Sequence, residues 1–343
     1  MAPFTELNSV VASDFTDLVK QTFVEGPTQI QDMNVKKLLI ERPYREGDGD
    51  SVKLNEVDSE QFAKSMPQGA AAKRTRHVMG YSKTFEYARF GIETAITWHL
   101  RKYNKYPEVQ ARLTDLSKFC PNRFALDLVH RLTFAPDTSY TDMDGNVIDL
   151  TVGDGFQLVY SLHTVTGDAS KTYSNGITGN PEFSKGAFQL AQERGNTQSI
   201  DNFGIECVMG FGTVVTTDDP TTLDEVAMLK KSTSALEQNN AGVINSYQNS
   251  FEHIMLKKLD STATGARDTT KSKAWGYIAN MGAPGERWQA YYSVSEQPNL
   301  KYPAPGNNLE DGHTDNWIYG ARCSYLIGVL SGRGFLWSTG LGA

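Results

Sequence analysis

The sequence predicts a mixed α+β fold, with helices and strands segregated along the chain. Three observations predict it. Helical periodicity runs over residues 107–132 and resumes after Ser184 and Thr222. Strand-like alternation marks residues 321–329 near the end of the chain. No βαβ series, in which strands and helices alternate regularly, links the two patterns. Of 343 residues, 39% are hydrophobic and 21% charged, an ordinary globular balance that excludes a disordered or low-complexity chain. The length admits two or more packed units, each with its own core.

The elements follow in order. Residues 1–25 read as a short amphipathic arm, because Leu7, Val10, Val11, Phe15, Leu18 and Val19 recur at helical spacing and Gly26-Pro27 stops the pattern. Two strand-like pieces, residues 37–41 and 76–85, then flank a polar, Gly-rich middle that is too long for a tight turn. Loops of that length without a core of their own are functional or mobile. The charge of this loop is split. Glu46, Asp48, Asp50, Glu56, Asp58 and Glu60 fill one half, with Lys53 the single base among them; Lys64, Lys73, Arg74, Arg76 and Lys83 fill the other. Two readings stay open: a solvated excursion with incidental charge, or an extended arm whose two edges meet complementary charges on adjacent subunits.

Residues 88–134 read as helix-rich. Pro107 suits a first helical position. Val109, Leu113, Leu116, Cys120, Phe124, Leu128 and Leu132 then form one apolar stripe. If continuous, such a helix spans about 42 Å; Pro121 is predicted to kink or restart it and Pro136 to end it. Residues 137–182 are turn-rich and strand-like, with Asp144-Gly145 as a hairpin signal. Ser184 is a predicted N-cap for a helix through about 200, with Ala187, Leu190 and Ala191 on one face and Gly195 as a weak point. Thr222-Leu-Asp-Glu225 reads as a capping box opening a helix with Val226, Leu229, Thr233 and Leu236 on one side. Val243, Tyr247, Phe251, Ile254 and Met255 mark another helix. In the last predicted strand Ala321, Cys323, Tyr325, Ile327 and Val329 alternate with Arg322, Ser324, Leu326 and Gly328.

The chain carries 33 Lys+Arg against 40 Asp+Glu, a net −7, which argues against an all-over polyanion binder while leaving room for a local basic patch. No run of 18 apolar residues suggests a membrane span. The opening Met-Ala-Pro-Phe-Thr-Glu-Leu-Asn does not read as a signal peptide. Cys120, Cys207 and Cys323 are odd in number and far apart, which fits small buried thiols in a reducing compartment. The lack of an Asn-x-Ser/Thr acceptor agrees with that compartment.

Catalytic motifs are hard to find. Asp142-Met-Asp144-Gly145-Asn146 resembles part of a calcium loop, but Tyr140 stands where the first carboxylate belongs and no Glu closes the loop, so a hairpin turn accounts for it better. Gly332-Arg-Gly334-Phe-Leu-Trp337 lacks the third glycine of a dinucleotide fingerprint. There is no Walker loop, His-Glu-x-x-His or Cys-x-x-Cys, and Gly80-Tyr-Ser82 lacks the closing glycine of a nucleophile elbow. The six histidines are dispersed and read as surface or satisfied interior residues. No catalytic, cofactor-binding or metal residue is therefore predicted, although residues can converge in space whatever their order. Trp275, Trp288, Trp317 and Trp337, with Tyr277, Tyr291, Tyr292, Tyr319 and Tyr325, crowd the end of the chain. Intrachain core is the default reading, yet Trp and Tyr are also enriched in extensive subunit contacts. A long charged loop, an arm and an aromatic-rich end together favour an assembly protein over a catalyst.

The segment Asp154-Gly155-Phe-Gln-Leu158-Val-Tyr160-Ser161-Leu-His163, followed by Thr172-Tyr173-Ser174-Asn175, resembles a stretch common in tailed-phage major capsid proteins of the Mu-like group. The helix from Ser184, the Gly204-Ile205 turn and the helix spanning residues 223–232 follow in that family's order. Asn245 and Trp275 fall near the family's Asn-bearing loop and Trp-bearing strand. Trp317-Ile-Tyr-Gly-Ala-Arg-Cys-Ser-Tyr325 and Gly334-Phe-Leu-Trp337-Ser-Thr resemble the closing segments of such subunits. As an order of elements the resemblance covers nearly the whole chain; its residue matches are patchy, and their sum carries it.

The resemblance implies the Hong Kong 97-type fold. Residues 1–35 would be an N-terminal arm, 36–86 an extended loop and 87–204 a peripheral domain containing the spine helix. Residues 205–316 would be an axial domain and 317–343 a return to the peripheral domain. The implied function is that of a major capsid protein, not an enzyme and without a cofactor. It would form hexamers and pentamers of an icosahedral shell around double-stranded DNA in the virion, assembled in the host cytoplasm. Glu46, Asp48, Asp50, Lys73, Arg74 and Arg76 are the expected inter-subunit loop contacts. An arm of about 35 residues is too short for a fused scaffold, so a separate scaffolding protein is expected, along with a portal and room for a decoration protein. Crosslinking of Lys53, Lys64 or Lys73 to a neighbour's Asn is not predicted. Two other readings stay open: an encapsulin-type nanocompartment shell, and a soluble enzyme with an unrecognised site.

Overall fold

The computed structural model describes residues 33–59, 63–69, 71–75, 77–103, 106–233, 245–281, 286–301 and 316–342. The predicted amphipathic arm over 1–25 lies outside the described residues. The fold is mixed α+β, as the sequence predicts. In chain order the strands are β1 (Ile40–Glu41), β2 (Ser51–Ser59), β3 (His77–Glu86), β4 (Ala88–Ile96), β5 (Ser139–Thr141), β6 (Val147–Asp149), β7 (His163–Val165), β8 (Asp168–Tyr173), β9 (Gly210–Thr216), β10 (Glu252–Met255), β11 (Trp275–Met281), β12 (Ala290–Lys301), β13 (Trp317–Val329) and β14 (Phe335–Ser338). The helices are α1 (Trp98–Lys102), α2 (Tyr106–Thr133), α3 (Lys185–Gln198) and α4 (Pro220–Lys231).

The 28-residue α2 organises the larger core. Its predicted stripe, from Val109 to Leu132, is buried throughout. Pro121 sits inside the helix without dividing it, so the predicted restart does not occur. A proline costs a helix interior about 3 kcal/mol. Burying the flanking Leu116, Phe124 and Leu128 contributes roughly 1.5–3 kcal/mol each, so packing outweighs the local penalty. The helix lies against a four-stranded sheet of order β1-β12-β13-β4. Phe124 meets Tyr325 of β13 at a ring separation of 4.7 Å and Tyr292 of β12 at 5.9 Å.

A second four-stranded sheet, order β10-β9-β11-β14, carries a second core with α3 and α4. Ser184 caps α3 as predicted, its hydroxyl accepting from the Ala187 N–H at 3.2 Å. Ala187 and Ala191 face the core, but Leu190 is exposed and Phe188 fills the inward position. Gly195 does not end the helix; it lets α3 approach Phe211, whose ring a Cβ there would meet at 3.1 Å. The α4 N-cap is Asp219, three residues before the predicted capping box: its carboxylate accepts from the Thr222 N–H at 3.0 Å. Pro220 then occupies the first turn, where its missing N–H costs nothing. Thr233 falls past the helix end and Leu236 lies outside the described residues.

Three further expectations are corrected. The helix predicted around Tyr247, Phe251 and Ile254 is a turn followed by β10, which pairs parallel with β9 through Ile254 and Val215. The Asn245 amide ends α4 by donating to the Leu229 and Ser232 carbonyls, and Asn249 adopts φ +55°, a turn conformation that breaks helical continuation. Residues 88–96, read as helical, are β4, held along its length by β13 from Ala88–Tyr325 to Ile96–Trp317. Residues 37–41 do not pair with the 76–85 piece. They end a 3-10 turn, whose Val35 and Leu38 are buried, and enter the first sheet as β1 beside Tyr291 and Tyr292.

The C-terminal aromatics are intrachain core. Trp275, Trp288 and Trp337 are essentially inaccessible, and Trp317 is buried as well. Their alternative reading as a contact surface does not fit that burial. The Asp144-Gly145 turn joins β5 to β6 as expected, with Gly145 at φ +85°.

Candidate functional site

The feature that departs most from a packed domain is the β2–β3 hairpin, a two-stranded sheet of its own. Its register runs from Ser51–Glu86 at the base to Ser59–His77 at the far end. Nine strand residues correspond to a reach of roughly 30 Å. Part of the hairpin lies on the body of the subunit. The Phe85 ring occupies the space left by Gly328, where any Cβ would collide with it. The Tyr81 hydroxyl pairs with Thr164 Oγ1 at 2.6 Å. Lys83 Nζ reaches Asp149 Oδ2 at 2.7 Å and Thr151 Oγ1 at 2.8 Å, and also donates to the Thr151 carbonyl. Burial lowers the Lys83 pKa, an effect the Asp149 carboxylate only partly opposes. The same lysine and hydrogen bonds from Thr151 hold the Asp149 carboxyl below its ordinary value, although burial pushes it up.

The far end is different. Val57 and Met79 face each other across the hairpin and are 58% and 66% exposed, and Met66 beyond them is exposed to a similar degree. Lys73 and Arg74 follow, both exposed and without an ion pair among the described residues. An exposed apolar group rimmed by like charge marks an interaction surface more often than a solvated loop.

The predicted contact residues divide into two groups. Glu46 and Asp50 are exposed at the hairpin base. Asp48 is engaged within its own chain: its carboxylate accepts from Arg42 at 3.2 Å and from the Arg45 N–H at 3.1 Å, closing a turn. Lys73 and Arg74 stand at the opposite end, and Arg76 lies outside the described residues. The length of the hairpin separates acids from bases, so the two groups cannot neutralise each other within one subunit. Glu56, counted with the acidic half in the sequence, is buried instead, at 3% exposure.

Two polar centres in the interior gather several charged groups. Arg123 on α2 forks to Asp127 at 3.0 Å, Asp142 at 2.7 Å and Asp144 at 2.9 Å. The turn that resembles part of a calcium loop is thus filled by a guanidinium. Burial raises the Asp142 carboxyl, but bonds from the Asn146 N–H, Arg123 and the Asp144 N–H outweigh it and hold the pKa low. His163 spans the Asp154 carboxylate, 2.6 Å from Nδ1, and the Leu158 carbonyl, 3.2 Å from Nε2, and is wholly buried. Each ties chain segments together: Arg123 joins α2 to the β5–β6 turn, and His163 joins β7 to the segment around Asp154 and Leu158. Cys120 and Cys323 are buried neighbours joined by a thiol hydrogen bond, which holds the Cys120 thiol down and the Cys323 thiol up.

No family model matches the sequence, and no curated protein matches it. Solved structures do resemble it. A chain from Gordonia phage Cozz aligns at 13% identity over 90% of this chain and 85% of its own, with a TM-score of 0.49. A chain from the capsid of Myoviridae phage XM1 aligns at 14% identity over 93% and 92%, with a TM-score of 0.42. A chain from a virus-like particle of Pyrococcus furiosus aligns at 10% identity over 94% and 96%, with a TM-score of 0.40.

Proposed function

We propose that this chain is a major capsid subunit of the Hong Kong 97 type, a structural protein rather than an enzyme, that forms hexamers and pentamers of an icosahedral shell around double-stranded DNA. The observation that carries the reading is the hairpin. Its far end is exposed, apolar and basic, and the acids that match it lie roughly 30 Å away at its own base. A head-to-tail neighbour brings the two ends together, and repeated heterologous contacts of this kind close into rings. On this reading Lys73, Arg74 and Arg76 of one subunit face Glu46 and Asp50 of the next, with Asp48 adding to the negative field while bound to Arg42. Each exposed pair contributes only ~0.2–1 kcal/mol, but closure makes many such contacts cooperative.

We divide the chain accordingly into an arm over 1–35, a loop over 36–86, a peripheral domain over 87–204, an axial domain over 205–316 and a C-terminal return over 317–343. A separate scaffolding protein and a portal complete the assembly in the host cytoplasm, and the DNA is enclosed without sequence-specific contacts. The test is negative-stain electron microscopy with size-exclusion chromatography of the full chain, with and without scaffold. Shells or capsomer rings are expected, with nuclease-protected DNA in particles from infected cells; protein cargo in place of DNA would indicate a nanocompartment. Reversing Lys73, Arg74 and Arg76 to Glu is expected to abolish assembly while circular dichroism stays native. Normal shells from that triple variant would overturn the contact assignment, and a small oligomer that persists with scaffold would overturn the capsid reading.

A further inference from the structure

We propose that Glu56 and Arg333 form a latch that fixes the outer half of the hairpin against its own subunit, at the joint between the two main sheets, with Asn202 and Gly80 as its seat. The inference is independent of whether the chain builds a shell.

The geometry starts with a bulge. Pairing along the hairpin steps from Asn55–Ser82 to Val57–Met79, so Glu56 on one strand faces both Gly80 and Tyr81 on the other. A bulge of this kind re-aims a side chain. Here it turns Glu56 into the body, where its Oε1 lies 3.0 Å from the Arg333 guanidinium; the two side chains are 2% and 9% exposed. The Arg333 guanidinium also donates to Asn202 Oδ1. Gly80 makes the arrangement possible: a Cβ at that position would fall 2.6 Å from both Glu56 Oε2 and Asn202 Nδ2. The carboxylate thus lies across bare backbone.

Arg333 is itself well held. It sits in the link between β13 and β14, and therefore between the two sheets. Its N–H donates to Ser331 Oγ at 3.3 Å, and Gly334 beside it takes φ +73°. Gly332 is packed close to His163 and Asn175, and Tyr173 lies near the same charges. A hairpin residue is thereby tied to the segment that sets how one sheet follows the other.

The pair behaves as a latch rather than as ordinary core because of where it falls. Toward the base, Tyr81, Lys83 and Phe85 pin the hairpin. Beyond Glu56 the described side chains Val57, Met66, Lys73, Arg74 and Met79 are exposed. Buried ion pairs add little net stability, but removing one charge strands the other in a desolvated site. Such a contact is held as a unit or lost as a unit.

The test is hydrogen–deuterium exchange on the unassembled full-length chain, comparing wild type with Glu56→Gln and with Gly80→Ala. The first variant removes charge at constant shape; the second keeps both charges and fills the seat. Both are expected to speed amide exchange about tenfold or more over residues 54–58 and 78–82 while α2 and β13 keep wild-type protection, the signature of local rather than global opening. Unchanged exchange in the hairpin in either variant would overturn the proposal. So would loss of protection in α2 and β13 together with the hairpin, because the pair would then be a general core element.

Discussion

His130 should make the fold acid-labile. It lies on α2 with its ring edge-on to Phe134 and Tyr140, each 5.3 Å away, and its Nε2 3.1 Å from Ser261 Oγ. Burial, reinforced by the positive charges of Lys271, Arg123 and Arg131, lowers its pKa from 6.5 to about 4. The unfolded chain therefore takes up a proton near pH 6.5, whereas the folded chain does so near pH 4. The stabilisation is complete above pH 6.5 and is lost as the pH falls toward 4. At 1.36 kcal/mol per pH unit, the loss reaches about 3 kcal/mol at pH 4. His253, bonded to Thr216 Oγ1 at 2.8 Å, is lowered by burial in the same direction and adds a smaller, solvent-screened share. The variant His130→Gln removes the titration and keeps a polar group opposite Ser261. Urea unfolding of both proteins at pH steps from 7.5 to 4 measures the effect, since acidic side chains elsewhere contribute equally to the two curves. The variant is expected to be less stable at pH 7, by about 1–3 kcal/mol for a disturbed buried hydrogen bond, with the gap closing by about 3 kcal/mol at pH 4. Parallel curves across that range would refute the argument.

Two further outcomes follow from buried groups. Arg123→Met leaves Asp127 and Asp142 buried without their cation and is expected to cost about 3–5 kcal/mol in chemical denaturation; a cost under about 1 kcal/mol would show that the triad is effectively solvated. Thiol labelling under native conditions is expected to modify the half-buried Cys207 first, with Cys120 and Cys323 reacting on global unfolding; fast labelling of either buried thiol would contradict the packing of α2 on β13.

What was legible in the sequence was what local chemistry decides. The stripe from Val109 to Leu132 predicts α2 because burial and helical period coincide. Ser184 announces α3 because a cap acts within three residues, and Gly145 announces its hairpin because the turn needs a positive φ. The failures lie where distant pairing decides. Tyr247, Phe251 and Ile254 have helical spacing, yet Ile254 gains more by zipping onto Val215, some forty residues away in sequence. Residues 88–96 contain good helix formers and become a strand because β13 offers a full-length partner. The charge split of the hairpin was readable, and so was its exposed placement at Glu46, Asp50, Lys73 and Arg74. The burial of Glu56 was not, because it needs a bulge, a glycine opposite and an arginine 277 positions later to be in place together.

The tip of the hairpin and the Glu56–Arg333 pair contribute to assembly in different ways. Three exposed charge pairs contribute at most about 3 kcal/mol together. Covering Val57 and Met79 in a neighbour adds about 1–2 kcal/mol each, given that each is already partly shielded. Removing the Glu56 charge alone, which strands Arg333 in a desolvated site, costs about 3–5 kcal/mol. Contact at the tip involves side chains that are already exposed and does not require the Glu56–Arg333 pair to part, so the hairpin should meet its neighbour as a preformed, latched element. That ordering separates two variants that otherwise look alike. Reversing Lys73, Arg74 and Arg76 removes the contact and leaves hairpin protection intact. Glu56→Gln leaves the tip chemistry intact and loosens what carries it, so assembly slows without the charge-reversal block. If Glu56→Gln assembles as fast as wild type while its hairpin exchanges freely, preorganisation is not what limits the contact, and the tip residues act on a mobile arm.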